Sequence, residues 1–297
     1  MRAAPAVGLL VPLALLAACG HSGGPAEPPP QPAVQMRQFT FDGVVRHYRV
    51  YDPPTPGARP PSALVVVLHG GAASIDDAVS TTMFDQAATE GNFIVAYPQG
   101  IDGVWNAKFC CGVAPGLGND DVGFLNQLLD RLEAEYPVDT TRVYFSGVSN
   151  GAMMAYLFAC EHADRVTAVG AVAGAMVLDT CQPSRPVSIL EIHGTADPEV
   201  PYQGGQAAAV VGGTFDYPSS MALAQRWAQI DGCGAKSSTT AGPDTTASWS
   251  GCQAGTAVSL VSVDGGGHVW FAPGLGAADG SVDATSLLWH FFSRLRA

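Results

Sequence analysis

The stretch RVYFSGVSNGAMMAYLFACE, residues 142–161, decides the fold. Ser149 lies midway between Gly147 and Gly151. In a 297-residue chain with 35 Gly, chance alone gives about 0.3 Gly-x-Ser-x-Gly matches, so the bare motif is weak and its flanks must carry the reading. Arg142-Val143-Tyr144-Phe145 is β-branched and aromatic, which predicts a short strand. Asn150 to Cys160 has no proline, and Met153, Met154, Leu157 and Phe158 recur at helical spacing. Strand, sharp turn and helix is the setting of a nucleophile elbow. Side chains two residues either side of such a serine collide where strand and helix meet, which is a steric reason for both glycines.

Outward from the elbow, the pattern alternates. MRQFTFDGVVRHYRVYDP predicts a hairpin turning at Asp42-Gly43. ALVVVLHGG, NFIVAYPQG, VTAVGAVAG and VSILEIHG are apolar runs suited to strands buried on both faces of a parallel sheet. AVSLVSVDGGGH is a further strand running into a glycine loop. Between them, residues 75–90, 121–135 (capped by Asn119 or Asp120), 219–230 and 281–296 read as helices. The fold class expected is α/β: a mainly parallel central sheet with helices on both faces and an N-terminal antiparallel hairpin. The polar segment from Cys233 to Cys252 reads as an excursion within one domain.

Composition narrows the function. A core-forming 47% of residues are hydrophobic, and the net charge of −12 supplies no basic stripe, so nucleic acid is excluded as a partner. Residues 1–18 carry Arg2 and an apolar run too short to span a bilayer, ending LLAA before Cys19. That boundary resembles a bacterial lipobox, which implies cleavage before Cys19, its lipidation, and membrane attachment through that anchor alone. Residues 19–35 are Pro/Gly-rich and read as a tether, leaving residues 36–297 as the catalytic domain. Removing Cys19 leaves an even six cysteines for an oxidising compartment. Cys233 and Cys252 bracket a polar loop, and Cys160 and Cys181 end successive elements. These four are disulfide candidates, with the connectivity, and the place of Cys110 and Cys111, left open. No spacing is a metal signature, and no metal or other cofactor is expected.

An elbow serine needs a base, an orienting acid and an oxyanion hole. The chain order for this architecture is serine, acid, histidine. Of seven histidines, His268 alone follows a late strand, after Gly265-Gly266-Gly267. His69 and His193 stand in the wrong order, and His21, His47, His162 and His290 lie in the tether, the hairpin and helices. Acid candidates are Asp179, Glu191, Glu199, Asp264 and Asp197. Asp197 sits in the turn-rich HGTADPEVPY directly after the last buried strand before the base, stiffened by Pro198. His69-Gly70-Gly71 follows the first long apolar strand, so the N–H groups of Gly71 and Asn150 are the oxyanion candidates.

VVLHGG, NDDVGFLNQLLDRLEAEYPVDTTRVYFSGVSNGAMMAYLFACE, IHGTADPEVPY and DGGGHVW together resemble the bacterial polyhydroxybutyrate depolymerase and feruloyl esterase branch of the α/β-hydrolases. The resemblance runs from about residue 36 to 297. It implies a cofactor-free serine esterase with Ser149 as nucleophile, Asp197 as acid and His268 as base, acting on small or oligomeric esters. Members that erode solid polyester usually carry a polymer-binding module, for which this chain has no room, so soluble oligomers or plant-type esters are expected. Trp105 and Trp270 either line the acyl pocket or pack the core. An acyltransferase on the same machinery, and a non-catalytic surface lipoprotein, are the alternatives.

Overall fold

Strands β3 (Ser62–Leu68), β4 (Ile94–Pro98), β6 (Ala168–Val172) and β7 (Ser188–Gly194) are buried along their whole length. With β5 (Val138–Val148) and β12 (Val258–Val263) they form a parallel centre in the order β4-β3-β5-β6-β7-β12. The computed structural model describes residues 1, 33–55, 60–108, 118–176, 178–209, 212–273 and 282–297. Antiparallel hairpins extend both edges of the sheet. β1 (Ala33–Phe41) and β2 (Val44–Asp52) join beside β4; β10 (Lys236–Ala241) and β11 (Asp244–Trp249) join beside β12. Asp42 and Gly43 turn the first hairpin with φ of 49° and 76°, the pair of positive values a tight two-residue turn demands.

Helices cover both faces. Alternate residues of each central strand point to opposite sides, so Leu64, Val66 and Leu68 belong to the core layer that holds α3 (Asp121–Glu135), α4 (Asn150–Glu161) and α5 (Ser220–Ile230). Val65 and Val67 belong to the opposite layer, with α1 (Ile75–Thr82), α2 (Phe84–Gly91) and α6 (Ala284–Phe292).

Four details differ from the sequence expectation. β1 starts at Ala33 and so takes in three residues assigned to the tether. The helix expected over 75–90 is two helices broken at Met83, whose φ is 53°. The Thr82 carbonyl accepts from the Thr285 hydroxyl there, which diverts it from the helical ladder. The last helix spans Ala284–Phe292 rather than 281–296; Asp283 caps it, and the Tyr144 hydroxyl takes the Leu295 carbonyl beyond its end. The Cys233–Cys252 segment holds the β10–β11 hairpin, closed by a Cys233–Cys252 disulfide. β10 is exposed throughout, so its sequence, KSSTTA, shows none of the alternation that marks a half-buried strand. A second disulfide joins Cys160 at the end of α4 to Cys181. Cys19, Cys110 and Cys111 lie outside the described residues.

The Asp120-Asp121 start of α3 has two separate tasks. Asp120 caps the helix, accepting from Gly123 N at 2.8 Å. Asp121, fully buried, pairs with the buried Arg46 of β2 at 2.6 Å and accepts from Asn106 N at 2.8 Å. The Arg46 guanidinium also lies 3.7 Å from the centroid of the Phe124 ring. This cluster ties the edge hairpin to α3 and to the loop that carries Trp105. Asp121→Asn leaves Arg46 buried without a counter-charge and should cost about 3–5 kcal/mol of stability, read as a lower urea midpoint at unchanged slope.

Candidate active site

Ser149 has φ 54° and ψ −121°, a conformation that non-glycine residues seldom adopt and that costs on the order of 1–3 kcal/mol. The surroundings impose it. Ser149 N donates to the Val172 carbonyl of β6 at 2.9 Å, and the Ser149 carbonyl accepts from Met153 N at 3.0 Å, starting α4. A Cβ at Gly147 would stand 2.6 Å from the Gly151 carbonyl carbon, and one at Gly151 would overlap the carbonyl oxygens of Leu68 and His69. The two glycines therefore let α4 pack directly on the end of β3.

β7 and β12 are parallel neighbours, so their following loops emerge at the same sheet edge. Gly194 and Gly266 touch there with no room for a Cβ on Gly194. Ala196 N also donates to the Gly266 carbonyl at 2.9 Å. This close approach brings Asp197 and His268 together, with His268 Nδ1 2.8 Å from Asp197 Oδ2. Asp197 Oδ1 accepts from Glu199 N and Val200 N at 2.8 and 2.9 Å. His193 Nε2 lies 3.3 Å from Oδ2. Burial opposes ionisation of Asp197, but hydrogen bonds from His193 and His268 overcome it and hold the carboxyl well below the usual range. Because Nδ1 donates to a carboxylate, neutral His268 keeps its lone pair on Nε2. Nε2 is 3.6 Å from Glu199 Oε2, and His268, Glu199 and Ser149 line one cavity of about 280 Å³.

Of the other acid candidates, Glu199 meets His268 at Nε2 rather than at Nδ1, and the remaining three lie elsewhere. Glu191 faces His193, and Asp264 Oδ1 lies 3.4 Å from the Thr195 hydroxyl. Asp179 stands beside the Cys160–Cys181 disulfide.

His69, Gly70, Gly71 and Asn150 line the same cavity. His69 Nδ1 donates to the Gly70 carbonyl at 2.7 Å, while Nε2 accepts from Gly100 N at 2.9 Å. Burial lowers the His69 pKa to about 4, so the ring is neutral. In a trans peptide the Gly71 N–H points opposite the Gly70 carbonyl, so this hydrogen bond aims it away from the ring.

Neither tryptophan lines the cavity. Trp105 is fully buried; its backbone exchanges two hydrogen bonds with the Asn150 side chain, and Nε1 donates to the His69 carbonyl at 3.1 Å. Trp270 packs edge-on to Phe84 and donates to the Thr285 hydroxyl at 3.0 Å. Both indoles satisfy their single donor inside the core. The wall is instead formed by smaller groups, including Thr82, Val148, Met153, Val200 and Tyr217. Tyr217 belongs to a short hairpin, β8 (Gly205–Ala208) and β9 (Thr214–Tyr217), that the sequence pattern did not mark.

The contribution of His193 was also missed. Its Nε2 lies 2.8 Å from the Val200 carbonyl, which can only accept, so Nε2 carries a proton. Nδ1 faces buried Glu191 at 3.1 Å, and Glu191 in turn accepts from the Tyr156 hydroxyl. Burial works against a charge on His193, but Asp197 and Glu191 prevail and raise its pKa to about 9. The readable signal was Glu191-Ile192-His193, two ionisable groups on one face of a strand buried along its whole length.

A model of the family described as "Esterase PHB depolymerase" matches residues 46–221, more than half of the chain. The chain belongs to that family. The family resemblance read from the motifs is thereby met. Feruloyl esterase B of Piromyces equi is 30% identical over 192 residues, covering 62% of this chain and 35% of that protein. The bifunctional acetylxylan esterase/xylanase XynS20E of Neocallimastix patriciarum is 32% identical over 163 residues, 54% of this chain and 23% of its own. The chain thus spans about a third or less of these two relatives. A putative esterase, NocK, of Nocardia uniformis subsp. tsuyamanensis is 27% identical over 304 residues, with 89% and 88% covered. The acetyl xylan esterase from Aspergillus awamori superposes with a TM-score of 0.61 at 15% identity over 87% of this chain and 99% of that one, which shows the shared α/β-hydrolase fold.

His193 sets a pH test. A raised pKa means that its charged form stabilises the fold below the unfolded value near 6.5, and this stabilisation is lost as pH rises through about 9. The melting temperature should fall across that window in the wild type. His193→Asn, which cannot titrate, should melt lower at pH 7 and lack that step; an undiminished step in the variant would place the titrating group elsewhere.

Proposed function

We propose that this chain is a secreted serine carboxylic ester hydrolase acting through an acyl-enzyme, feruloyl esterase-like or polyhydroxybutyrate depolymerase-like in its substrates. The observation that carries the reading is the imidazole of His268, anchored at Nδ1 by buried Asp197 and lining the same cavity as the elbow serine. His268 Nε2 takes the Ser149 proton, and Oγ attacks the ester carbonyl. The N–H groups of Gly71 and Asn150 hold the oxyanion, helped by the positive end of α4. The proton passes to the departing alcohol, leaving an ester on Ser149. Water then repeats the sequence and releases the acid.

The cavity suits acyl groups from acetyl to feruloyl in size, in keeping with the names carried by the fungal relatives. Two disulfides favour an oxidising compartment, in keeping with export and with lipidation at Cys19.

Ser149→Ala should abolish turnover of 4-nitrophenyl esters and covalent labelling by a fluorophosphonate, with the circular dichroism spectrum unchanged. Persistent labelling would move the nucleophile elsewhere. Asp197→Asn should lower kcat by roughly 10²–10⁴-fold, because the amide no longer enforces the Nδ1–H tautomer. It should also lower the melting temperature, since an NH₂ must then face either two backbone N–H groups or two imidazoles. Near-wild-type turnover in Asp197→Asn would remove the assigned acid.

A further inference from the structure

We propose that Glu199 is a specificity-determining residue that makes this site select esters with no negative charge beside the scissile bond. This rests on the reading of Ser149 and His268 as nucleophile and base. Among the described residues, Asp77 and Glu199 are the two carboxylates lining the cavity, and no Lys or Arg lines it. Glu199 stands at the reacting end, its Oε2 3.6 Å from His268 Nε2. Its loop cannot swing away freely, because Glu199 N is tied to Asp197 Oδ1 at 2.8 Å and the next residue, Val200, is tied to the same oxygen.

The geometry follows from the reaction. The leaving oxygen of a bound ester must come within hydrogen-bond reach of Nε2, about 3 Å. That places it within roughly 7 Å of the Glu199 carboxylate. A substrate carboxylate a few bonds from the ester then meets Glu199 at about 6 Å, with a repulsion equivalent to roughly 3- to 100-fold in rate, depending on how much water separates the charges. Asp77, on the α1 wall, adds to the same field; hydrogen bonds from Ser74 hold its carboxyl below the usual range. The net charge of −12 points the same way. Neutral esters escape this repulsion, and the imidazolium that forms on His268 during the reaction gains from Glu199. A hydroxybutyrate dimer carries its free carboxylate one carbon from the ester-bearing carbon. Internal polyester bonds and esters on neutral sugar hydroxyls are therefore favoured over such ends.

The test compares 3-butyryloxybutanamide with 3-butyryloxybutanoate, which share an acyl group and differ by a carboxylate in place of an amide on the leaving alcohol. The readout is the ratio of their kcat/KM values for butyrate release, in which any general loss of activity cancels. The wild type should favour the amide-bearing ester at least tenfold, and raising the salt from about 0.02 M to about 0.5 M should narrow that ratio. Glu199→Gln should reduce the ratio at least fivefold, more than Asp77→Asn does. A ratio that Glu199→Gln leaves within twofold of the wild type overturns the proposal. No turnover of either ester by the wild type removes the hydrolase reading, and this inference with it.

Discussion

One buried carboxylate organises the loops at the carboxyl ends of β7 and β12. Asp197 has two backbone N–H groups on one oxygen and two imidazole nitrogens on the other, and these four contacts keep it charged in a place that water does not reach. The anion needs counter-charge nearby, which His193 provides from the strand below, with Glu191 behind it. It also needs a defined loop, and its own bonds to residues 199 and 200 close that loop into a turn. His268 is oriented as a by-product of satisfying Asp197.

Ser149, the proposed nucleophile, is fixed by packing rather than by charge. Ser149 is held in an unfavourable backbone conformation because β6, α4 and the end of β3 all close on it at once. The same compression joins the elbow to its neighbours: Trp105 and the Asn150 side chain bind one another, and Trp105 reaches back to the His69 carbonyl. The proposed acid, base and nucleophile, Asp197, His268 and Ser149, come from loops after β7, β12 and β5, each at the carboxyl end of a parallel strand, where open α/β sheets place their ligands.

Much of this was legible because local chemistry and global fold agree. The elbow glycines, the apolar strand runs and the acidic turn after β7 each had one reasonable structural use. What was not legible depended on partners distant in the chain. Nothing near Met83 announces a helix break whose cause, Thr285, lies some two hundred residues away. Trp105 and Trp270 read equally well as wall or core until the acceptors of their N–H groups were known. The exposed β10 strand carries no periodicity because one edge of the sheet needs hydroxyl-bearing residues, not apolar ones. His193 was set aside by chain order, which bears on the base and says nothing about a residue acting through the acid.

The sheet order also bears on how the chain acquires its competence. The edge hairpins form from neighbours in sequence, as does the α4 turn, whereas β7 must wait for β12 across some sixty-four residues. Contacts of that separation close late and slowly. His268 follows β12, so it reaches Asp197 only when β7 and β12 have paired. A nascent chain can therefore display most of its hydrophobic core before Asp197 and His268 meet, and the Gly194–Gly266 contact is the latch whose closing completes the proposed site.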